Sequence, residues 1–293
     1  MISLVGGGIG LLAVVFQRDT GQPKLPTSTI VTPPPTTETN PKPKENGPTP
    51  VVAEVSVPRG TQAEPGAMTV TLANGKRVPE WVVAERNGQR VRFRLITPGA
   101  TVANAPAPFY ISQTKVWNGL YRGDQKTARE EPGGVDAPAV NVTANEAAAF
   151  AASFDGGRLP SPEEWDHAAG YYDPQGQDGP VRRGGQARVR IPVPATVTGP
   201  TTDATRNQYD LADLAGNGRE WTNAVLLARG RPLQTIEGAA FSPRDLAILR
   251  GRNYTLGTPL TYNSMAYEQQ EPQTQFAGVA SPYTTFRIVL PAP

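Results

Sequence analysis

A short stretch in the C-terminal half holds the side chains best suited to chemistry. It reads AGNGREW at residues 215–221 and places the amide of Asn217 three residues before the carboxylate of Glu220. Calcium takes carboxylate, amide and backbone oxygens as ligands. Asn217, Glu220 and the local carbonyl groups therefore predict a calcium site. The alternative is that Asn217 occupies a tight turn and that Glu220 pairs with an arginine.

Further acidic and amide side chains lie just upstream of this stretch. Asp210 and Asp213, together with Glu220, are the acids that an enzyme with unrecognised chemistry would use. Asn207, Asp210 and Asp213 could also add oxygen ligands, but their types and spacing are more typical of turn and cap residues.

The sequence excludes several other kinds of site. It contains no cysteine, which excludes disulfides, thiol nucleophiles, cysteine-based zinc sites and iron–sulfur clusters. His167 is the one histidine, so a histidine-rich metal site is excluded, and so is a catalytic triad built on a second histidine. We expect His167 to be an ordinary surface or half-buried side chain.

The charge distribution excludes a nucleic-acid partner. The formal net charge is +2, which gives no electrostatic footprint for a phosphate backbone. The densest basic run contains four arginines interleaved with glycine and glutamine, and we interpret it as a solvated loop: Arg182, Arg183, Arg188 and Arg190.

Two helices are predicted in the middle of the chain. Ser161 is a good N-cap, Pro162 suits the first helical position, and Glu164 completes a capping box for a helix that ends near Ala169 and buries Trp165. A second capping box predicts a helix over residues 143–154.

Strands are predicted mainly before these helices. Alternating apolar residues and Asn-Gly turn signals between residues 51 and 96 predict strands and hairpins. After Tyr172 most of the chain reads as loop, with strand-like runs at Ala187–Val193, Arg219–Val225 and Thr285–Leu290. The fold class is therefore α+β, with few helices, short strands and much irregular structure.

The N-terminal part has a different composition. Residues 2–16 are uncharged and apolar but shorter than the ~20 residues of a usual spanning helix. Residues 1–17 are interpreted as a short membrane anchor, a signal-peptide remnant or a buried segment of the fold. Residues 18–50, rich in proline and threonine, predict an extended linker, either a spacer or a tail. Residues 51–74 read as a strand-rich lead-in to a domain at 75–293.

The motifs of this domain resemble a known family. From about Gly75 onward the chain resembles the sulfatase-modifying-factor, or formylglycine-generating-enzyme, domain, which has a C-type-lectin-like fold. The resemblance rests on seven motifs in family order: LITPG (95–99), FYISQTKVWNGLY (109–121), PAVNVTANEAAAFAASF (138–154), GGRLPSPEEWDHAA (156–169), NQYDLADLAGNGREW (207–221), LRGRNY (249–254) and TTFRIVL (284–290). One departure is Trp117, which stands where the family usually has a helix-capping threonine, so Thr114 or Asn118 would cap that helix unless its start is frayed.

The resemblance implies structural roles for several motif residues. Arg158, Arg250 and Arg287 would donate hydrogen bonds to buried carbonyls in a loop-rich fold. The alternative is that these arginines bind an anion or a substrate. The other motif residues assigned a structural role are Leu159, Pro160, Glu164, Trp165 and Trp221.

The resemblance also implies cofactors, and the sequence departs from the family on one of them. The family's oxidases hold copper with two cysteines after the strand that LRGRNY resembles, and this chain has none, so no copper is expected. Met265 lies in that region but cannot replace two thiolates. The family's iron-dependent sulfoxide synthases use a histidine cluster on a second domain, which one histidine excludes. The calcium loop of the family would here consist of Glu220 with Gly216, Asn217 or Gly218.

These observations favour a non-catalytic, membrane-tethered domain that acts as a binding or scaffold module. Its ligand would be a protein, peptide or glycan bound by the loops at Asp173–Val193 and Tyr254–Ala280. Membrane contact would be through the N-terminal segment, with the domain outside the cytoplasm. The alternatives are an enzyme of the family with a non-standard active site, or a sensor or output domain of a larger membrane protein.

Overall fold

The computed structural model describes residues 54–99, 105–227, 231–235 and 241–293. These residues form short strands, short helices and long connections, which confirms the predicted α+β class. The α-helices are α1 (Asn118–Arg122), α2 (Gln125–Glu130), α3 (Ala144–Ala152), α4 (Pro162–Ala169) and α5 (Tyr262–Gln270), and a 3-10 helix spans Pro200–Thr205.

The first sheet contains five antiparallel strands. Its strands follow the order β1, β4, β5, β6 and β12, with bounds Gln62–Ala63, Trp81–Arg86, Gln89–Ile96, Phe109–Ser112 and Val289–Pro291. Asn87 and Gly88 join β4 to β5 with positive φ angles of 51° and 67°, which two-residue hairpin turns require. The Asn-Gly signal in the sequence therefore marks a real hairpin.

The second sheet carries most of the C-terminal motifs. Its path is β10 (Thr274–Phe276), β9 (Leu246–Arg252), β7 (Gly218–Leu227) and β11 (Thr284–Phe286), and β8 (Arg231–Thr235) also pairs with β7. The pairing of β7 with β11 is parallel and sets Glu220 opposite Thr285. A separate hairpin is formed by β2 (Thr69–Thr71) and β3 (Arg77–Pro79).

The two predicted capping boxes are confirmed. Thr143 accepts a hydrogen bond from the Glu146 N–H at the start of α3, and the Glu146 carboxylate accepts one from the Thr143 N–H. Ser161 and Glu164 make the same reciprocal pair at the start of α4. Each cap satisfies N–H groups that a helix leaves without an internal partner.

The start of α1 differs from the prediction. Neither Thr114 nor Asn118 caps this helix; Trp117 is the N-cap and makes no side-chain cap bond. The N–H groups of Asn118 and Gly119 instead donate to the carbonyls of residues 137 and 135, at 2.9 and 2.8 Å. The neighbouring loop thus satisfies the helix terminus through its backbone.

Two of the three predicted strand-like runs need correction. Ala187–Val193 forms no strand, because Arg190 has a φ of 58° and this left-handed conformation interrupts an extended backbone. Thr285–Leu290 is divided between β11 and β12, which belong to different sheets. Arg219–Val225 lies within β7, as predicted.

The segment at 51–74 contributes to the fold where it is described. Gln62 and Ala63 pair with Val83 and Val82 of β4, and Leu72 is buried in the core. The apolar run at 2–16 and the linker at 18–50 lie outside the described residues. Within the described part of the chain, no helix has both the length and the apolar character to cross a membrane.

Buried apolar side chains form two clusters. One packs the faces of both sheets against α3 and includes Phe93, Ala147 and Trp221. The other surrounds α4 and α5 and includes Trp165, Leu214 and Met265. Glu220 of the AGNGREW stretch connects the two clusters, because it precedes Trp221 of the first and accepts a hydrogen bond from Trp165 of the second.

Candidate functional site

Glu220, the carboxylate predicted to bind calcium, is fully buried on β7. Its surroundings come from three other parts of the fold. Lys115 follows β6 of the first sheet, Arg287 joins β11 to β12, and Trp165 lies on α4. All three of these side chains are also fully buried, and we refer to the four residues as the Glu220 cluster.

Within the Glu220 cluster, Lys115, Arg287 and Trp165 each donate hydrogen bonds to the Glu220 carboxylate. Lys115 Nζ donates to Oε1, and Arg287 Nε lies 3.0 Å from Oε1 and 2.9 Å from Oε2. Trp165 Nε1 donates to Oε2 at 2.8 Å. Both carboxylate oxygens are therefore occupied by protein donors.

The two cations of the cluster also bind backbone carbonyls. Arg287 donates to the carbonyls of Ser112 and Gln113 at 3.1 and 2.9 Å, and to that of Ala212. Lys115 Nζ donates to the carbonyl of Gly218 at 3.0 Å. Carbonyls at the ends of β6 and β7 and in the adjoining loops thus obtain donors from buried side chains.

The electrostatics of the cluster keep Glu220 ionised. Burial alone would raise the pKa of Glu220, but the charges of Arg287 and Lys115 outweigh it and hold the pKa below its ordinary value. A group whose pKa is depressed on folding stabilises the protein above its unfolded-state pKa. That stability is lost as the pH falls through the folded-state pKa, in the acidic range below the ordinary glutamate pKa.

The residues predicted to bind calcium do not suit that ion in this geometry. The oxygens of Glu220 and the carbonyl of Gly218 accept hydrogen bonds from cationic or indole N–H groups. The side-chain oxygen of Asn217 accepts a hydrogen bond from Ala195 N at 2.8 Å, and its φ of 59° places it in a left-handed turn. Gly216 lies against the backbone of Arg188. This arrangement matches the alternative of a turn and an ion pair.

The remaining acidic candidates are also paired. Asp213 lies 3.0 Å from Arg188 and accepts a hydrogen bond from the Asn217 amide, also at 3.0 Å. Asp210 pairs with Arg182 at the surface. Asn207 closes its own turn, since its side-chain oxygen accepts from the N–H groups of residues 209 and 211. Among the described residues, no group of three or more histidine, cysteine, aspartate or glutamate side chains could hold a metal ion.

Two more motif arginines hold α4 in place. Arg158 makes a two-pronged pair with Glu164, at 2.5 Å for each bond, and donates to the carbonyl of Leu159 at 3.1 Å. Arg250 pairs with the buried Asp166 at 2.8 and 3.2 Å. Pro160 accepts a hydrogen bond at its carbonyl from Asn223 N, and the Trp221 indole donates to the carbonyl of residue 142.

Lys115 is the member of the cluster that sequence reasoning missed. It stands in the run FYISQTKVW, between buried Ser112 and buried Trp117. A lysine in a segment that enters the core is almost never fully buried unless it is paired. That signal indicates an acidic partner but does not identify Glu220, which is 105 positions away.

A separate cleft lies between the two loops that the sequence analysis singled out. It has a volume of about 530 Å³ and is lined by residues 176–187 on one side and by 259–261 on the other. Val181, Ala187, Ala215 and Leu260 provide its apolar surface, and Arg183 is exposed at its edge. The cleft is within the size range of small-ligand sites in proteins.

The cluster geometry predicts the behaviour of Glu220→Gln. Loss of the negative charge leaves Lys115 and Arg287 buried without a counter-charge, which should lower the free energy of unfolding by roughly 3–5 kcal/mol. Urea titration of the purified protein measures this change. Glu85→Gln, which alters an exposed carboxylate on β4, is the matched control and should change stability by less than about 0.5 kcal/mol.

The same titration distinguishes the ion cluster from a calcium site. Millimolar calcium and EDTA should give the same unfolding midpoint for the native protein. If calcium raised the midpoint and Glu220→Gln abolished the rise, Glu220 would be a calcium ligand and the cluster interpretation would fail.

Comparisons of structure place this chain beside proteins of low sequence identity. Variable protein 1 of Treponema denticola is 18% identical, with a TM-score of 0.48 over 73% of this chain and 100% of its own. CarF is 17% identical, with a TM-score of 0.45 over 69% of this chain and 96% of its own. PvdO from Pseudomonas aeruginosa is 16% identical, with a TM-score of 0.44 over 76% and 97%.

Comparison of sequence gives the family. No curated protein sequence matches the chain. The family profile of the sulfatase-modifying factor enzyme 1-like domain matches residues 54–290. This match begins ahead of the domain boundary at residue 75 that the motifs indicate, and it includes the strands β1 and β2. The chain belongs to the family of sulfatase-modifying factor enzyme 1-like domains.

Proposed function

We propose that this domain is a non-catalytic binding module that uses the cleft between residues 176–187 and 259–261. The observation that carries the proposal is the complete burial and ion pairing of Glu220. The carboxylate best placed by sequence to do chemistry is enclosed with Lys115 and Arg287 and has no surface that a substrate could reach. A ligand would therefore bind at the surface, where the irregular loops lie.

The cleft has the properties of a stable binding surface. Its backbone packs closely: a side chain at Gly179 would place Cβ 2.5 Å from the carbonyl of Leu260, and one at Gly185 would place Cβ 2.5 Å from that of Ala204. Such contacts fix the loop against the rest of the fold. A preformed surface loses less conformational entropy on binding than a mobile one.

The composition of the cleft supports a peptide or glycan segment as its ligand. Apolar side chains from Val181, Ala187 and Leu260 adjoin backbone amides of a glycine-rich loop. Apolar contact combined with backbone hydrogen bonds suits an extended segment of a protein or a sugar chain. The net charge of +2 supports no nucleic-acid ligand.

Peptide selection tests the binding module. Peptides selected from a random displayed library on the purified domain should bind in the cleft, because it is the preformed apolar surface. Ala187→Trp fills the cleft and should weaken most selected peptides by about tenfold or more, a change of about 1.4 kcal/mol. Val193→Trp adds the same side chain at an exposed position of the same loop and should leave binding unchanged.

Two outcomes of the selection would count against the proposal. The first is that no peptide is enriched over a library passed across an unrelated protein. The second is that the selected peptides bind the native domain and Ala187→Trp equally well, which would place the recognition surface elsewhere.

An enzyme of the family with a non-standard active site is the alternative, and a turnover assay separates it from the binding module. The chain contains no cysteine thiolate to hold copper. Purified protein should leave a cysteine-containing sulfatase peptide unmodified, even with Cu(I) and oxygen, as measured by mass spectrometry. A copper-loaded formylglycine-generating oxidase is the positive control. Formylglycine formed by the protein itself would overturn the non-catalytic assignment.

We further propose that the N-terminal segment tethers the domain to a membrane, with the domain outside the cytoplasm. The support is the sequence: an apolar run at 2–16 is followed by a proline- and threonine-rich stretch at 22–50. At about 3.1 Å per residue for extended polyproline geometry, this stretch would span roughly 90 Å. That length would carry the domain clear of the lipid surface.

Cell fractionation tests the tether. Full-length protein should sediment with membranes, and limited proteolysis should release one soluble fragment that begins between residues 17 and 54, since β1, β2 and Leu72 belong to the fold. This fragment should unfold cooperatively, because it contains the whole domain that the family profile matches over residues 54–290. Full-length protein that remains soluble without detergent would contradict the tether and the spacer.

A further inference from the structure

A second cavity lies at the C-terminal end of α4, against the end of β5. Its volume is about 290 Å³, and it shares no lining residue with the cleft. Its walls include the rings of His167, Tyr172 and Tyr209, the side chain of Asp173, and Ile96 at the end of β5. The volume is at the lower end of the range for ligand sites and suits a small molecule rather than a peptide.

Three of the eight residues that line this cavity carry rings, His167, Tyr172 and Tyr209, and the segment Thr97–Gly99 forms another part of the wall. The helix α4 ends at Gly170, and the chain turns so that the ring of Tyr172 lies over the ring of His167, with centroids 4.2 Å apart and planes at 32°. The ring of Tyr171 contacts Tyr172 edge to face at 5.1 Å. His167 is buried, while Tyr172 remains 37% exposed at the opening. A ligand could therefore enter past Tyr172 and contact several rings.

The charges around the cavity are predominantly negative. Asp173 and Glu163 are exposed carboxylates that form no ion pair with any described residue, and the carboxylate of Asp173 accepts a hydrogen bond from Gln175 at 2.9 Å. The C-terminal end of α4 adds the negative end of a helix dipole. The positive charge of Arg94 lies close enough to Tyr209 to lower the pKa of its hydroxyl, but this guanidinium is already paired with Glu80 at 2.7 Å.

Burial, and for the two tyrosines also the nearby carboxylates, shifts the pKa values of the ionisable groups in the walls. Burial raises the pKa of Tyr172, and the carboxylates of Asp166 and Glu163 raise it further. Burial also raises the pKa of Tyr209, and Asp173 adds to that rise. Burial lowers the pKa of His167, so its imidazole is neutral at pH 7 and does not repel a cation.

We propose that this cavity binds a small organic cation with an alkylated ammonium group. The faces of aromatic rings attract such cations through their quadrupoles, and the attraction strengthens where water is excluded. The unpaired carboxylate of Asp173 supplies a counter-charge at the opening. An alkylated ammonium group needs no hydrogen-bond acceptor, so contact with the rings and with Ile96 and Pro98 suits it.

This inference is independent of the proposed binding module. It concerns a different surface and a ligand of different size and charge. The cleft could fail to bind peptides while the cavity still binds a cation. Equally, the cleft could bind peptides while the cavity binds no cation, so the two proposals can fail separately.

The test uses choline and its neutral carbon analogue 3,3-dimethyl-1-butanol, titrated into the purified full-length protein by ligand-observed NMR. The two probes have nearly the same shape and differ in charge. Choline should bind at least about tenfold more tightly than the neutral analogue, the size of effect expected where charge attraction supplies the selectivity. Equal binding of both probes, or binding of neither at millimolar concentration, would overturn the proposal.

Four variants locate the binding. Asp173→Asn should weaken choline binding several-fold and leave the neutral analogue unaffected, and Tyr172→Leu should weaken choline binding while Tyr172→Phe preserves it. Asp178→Asn is the control, since it removes an exposed carboxylate from the same loop that does not line this cavity. Thermal melting verifies that each variant is folded. If Asp173→Asn and Asp178→Asn weakened choline binding equally, the loss would reflect the lower net negative charge of the loop. The assignment of choline to this cavity would then be wrong.

Discussion

The carboxylate of Glu220 lies at the point where the two sheets of this domain meet. Its partners come from both: Lys115 follows a strand of the first sheet, and Arg287 lies where the chain leaves the second sheet to form the last strand of the first. Trp165 adds α4 to the same centre. Charges buried in this way are costly unless each one is paired and hydrogen-bonded, so the strands and loops must be arranged around them. The carbonyls of residues 112, 113 and 212 complete that pairing.

This constraint bears directly on function. The family motif that ends in Glu220 and Trp221 contributes a structural ion pair and a buried indole, and neither side chain is exposed. Asp213 and Asp166 are likewise occupied by Arg188 and Arg250. With these acids used to hold the loop-rich half together, we propose that ligands bind at the cleft of the 176–187 loop and at the cavity at the end of α4. Both depend on loops whose positions the buried pairs fix.

Local signals in the sequence predicted the elements that local interactions determine. The capping boxes at Thr143 and Ser161 and the Asn87–Gly88 turn act within a few residues, and the structure contains all three. The seven motifs predicted the fold class and the family. The predictions failed at the start of α1, where backbone from residues 135 and 137 caps the helix, and at Arg190, where a left-handed φ interrupts the predicted strand. The sequence signals that Lys115 requires an acidic partner, but only the structure identifies Glu220. The cavity around His167 takes most of its lining from three separate motifs, and only the structure shows that they lie side by side.

The most direct test of this account is the side-chain carboxylate ¹³C shift of Glu220, followed by NMR as the pH is lowered and then as calcium is added at neutral pH. The account predicts an ionised carboxylate that does not titrate near the ordinary glutamate pKa of about 4.3, because Arg287 and Lys115 stabilise its charge. It also predicts no change in the shift with calcium. Titration at the ordinary pKa, or a calcium-dependent shift, would contradict the claim that Glu220 serves as the buried counter-ion of this fold.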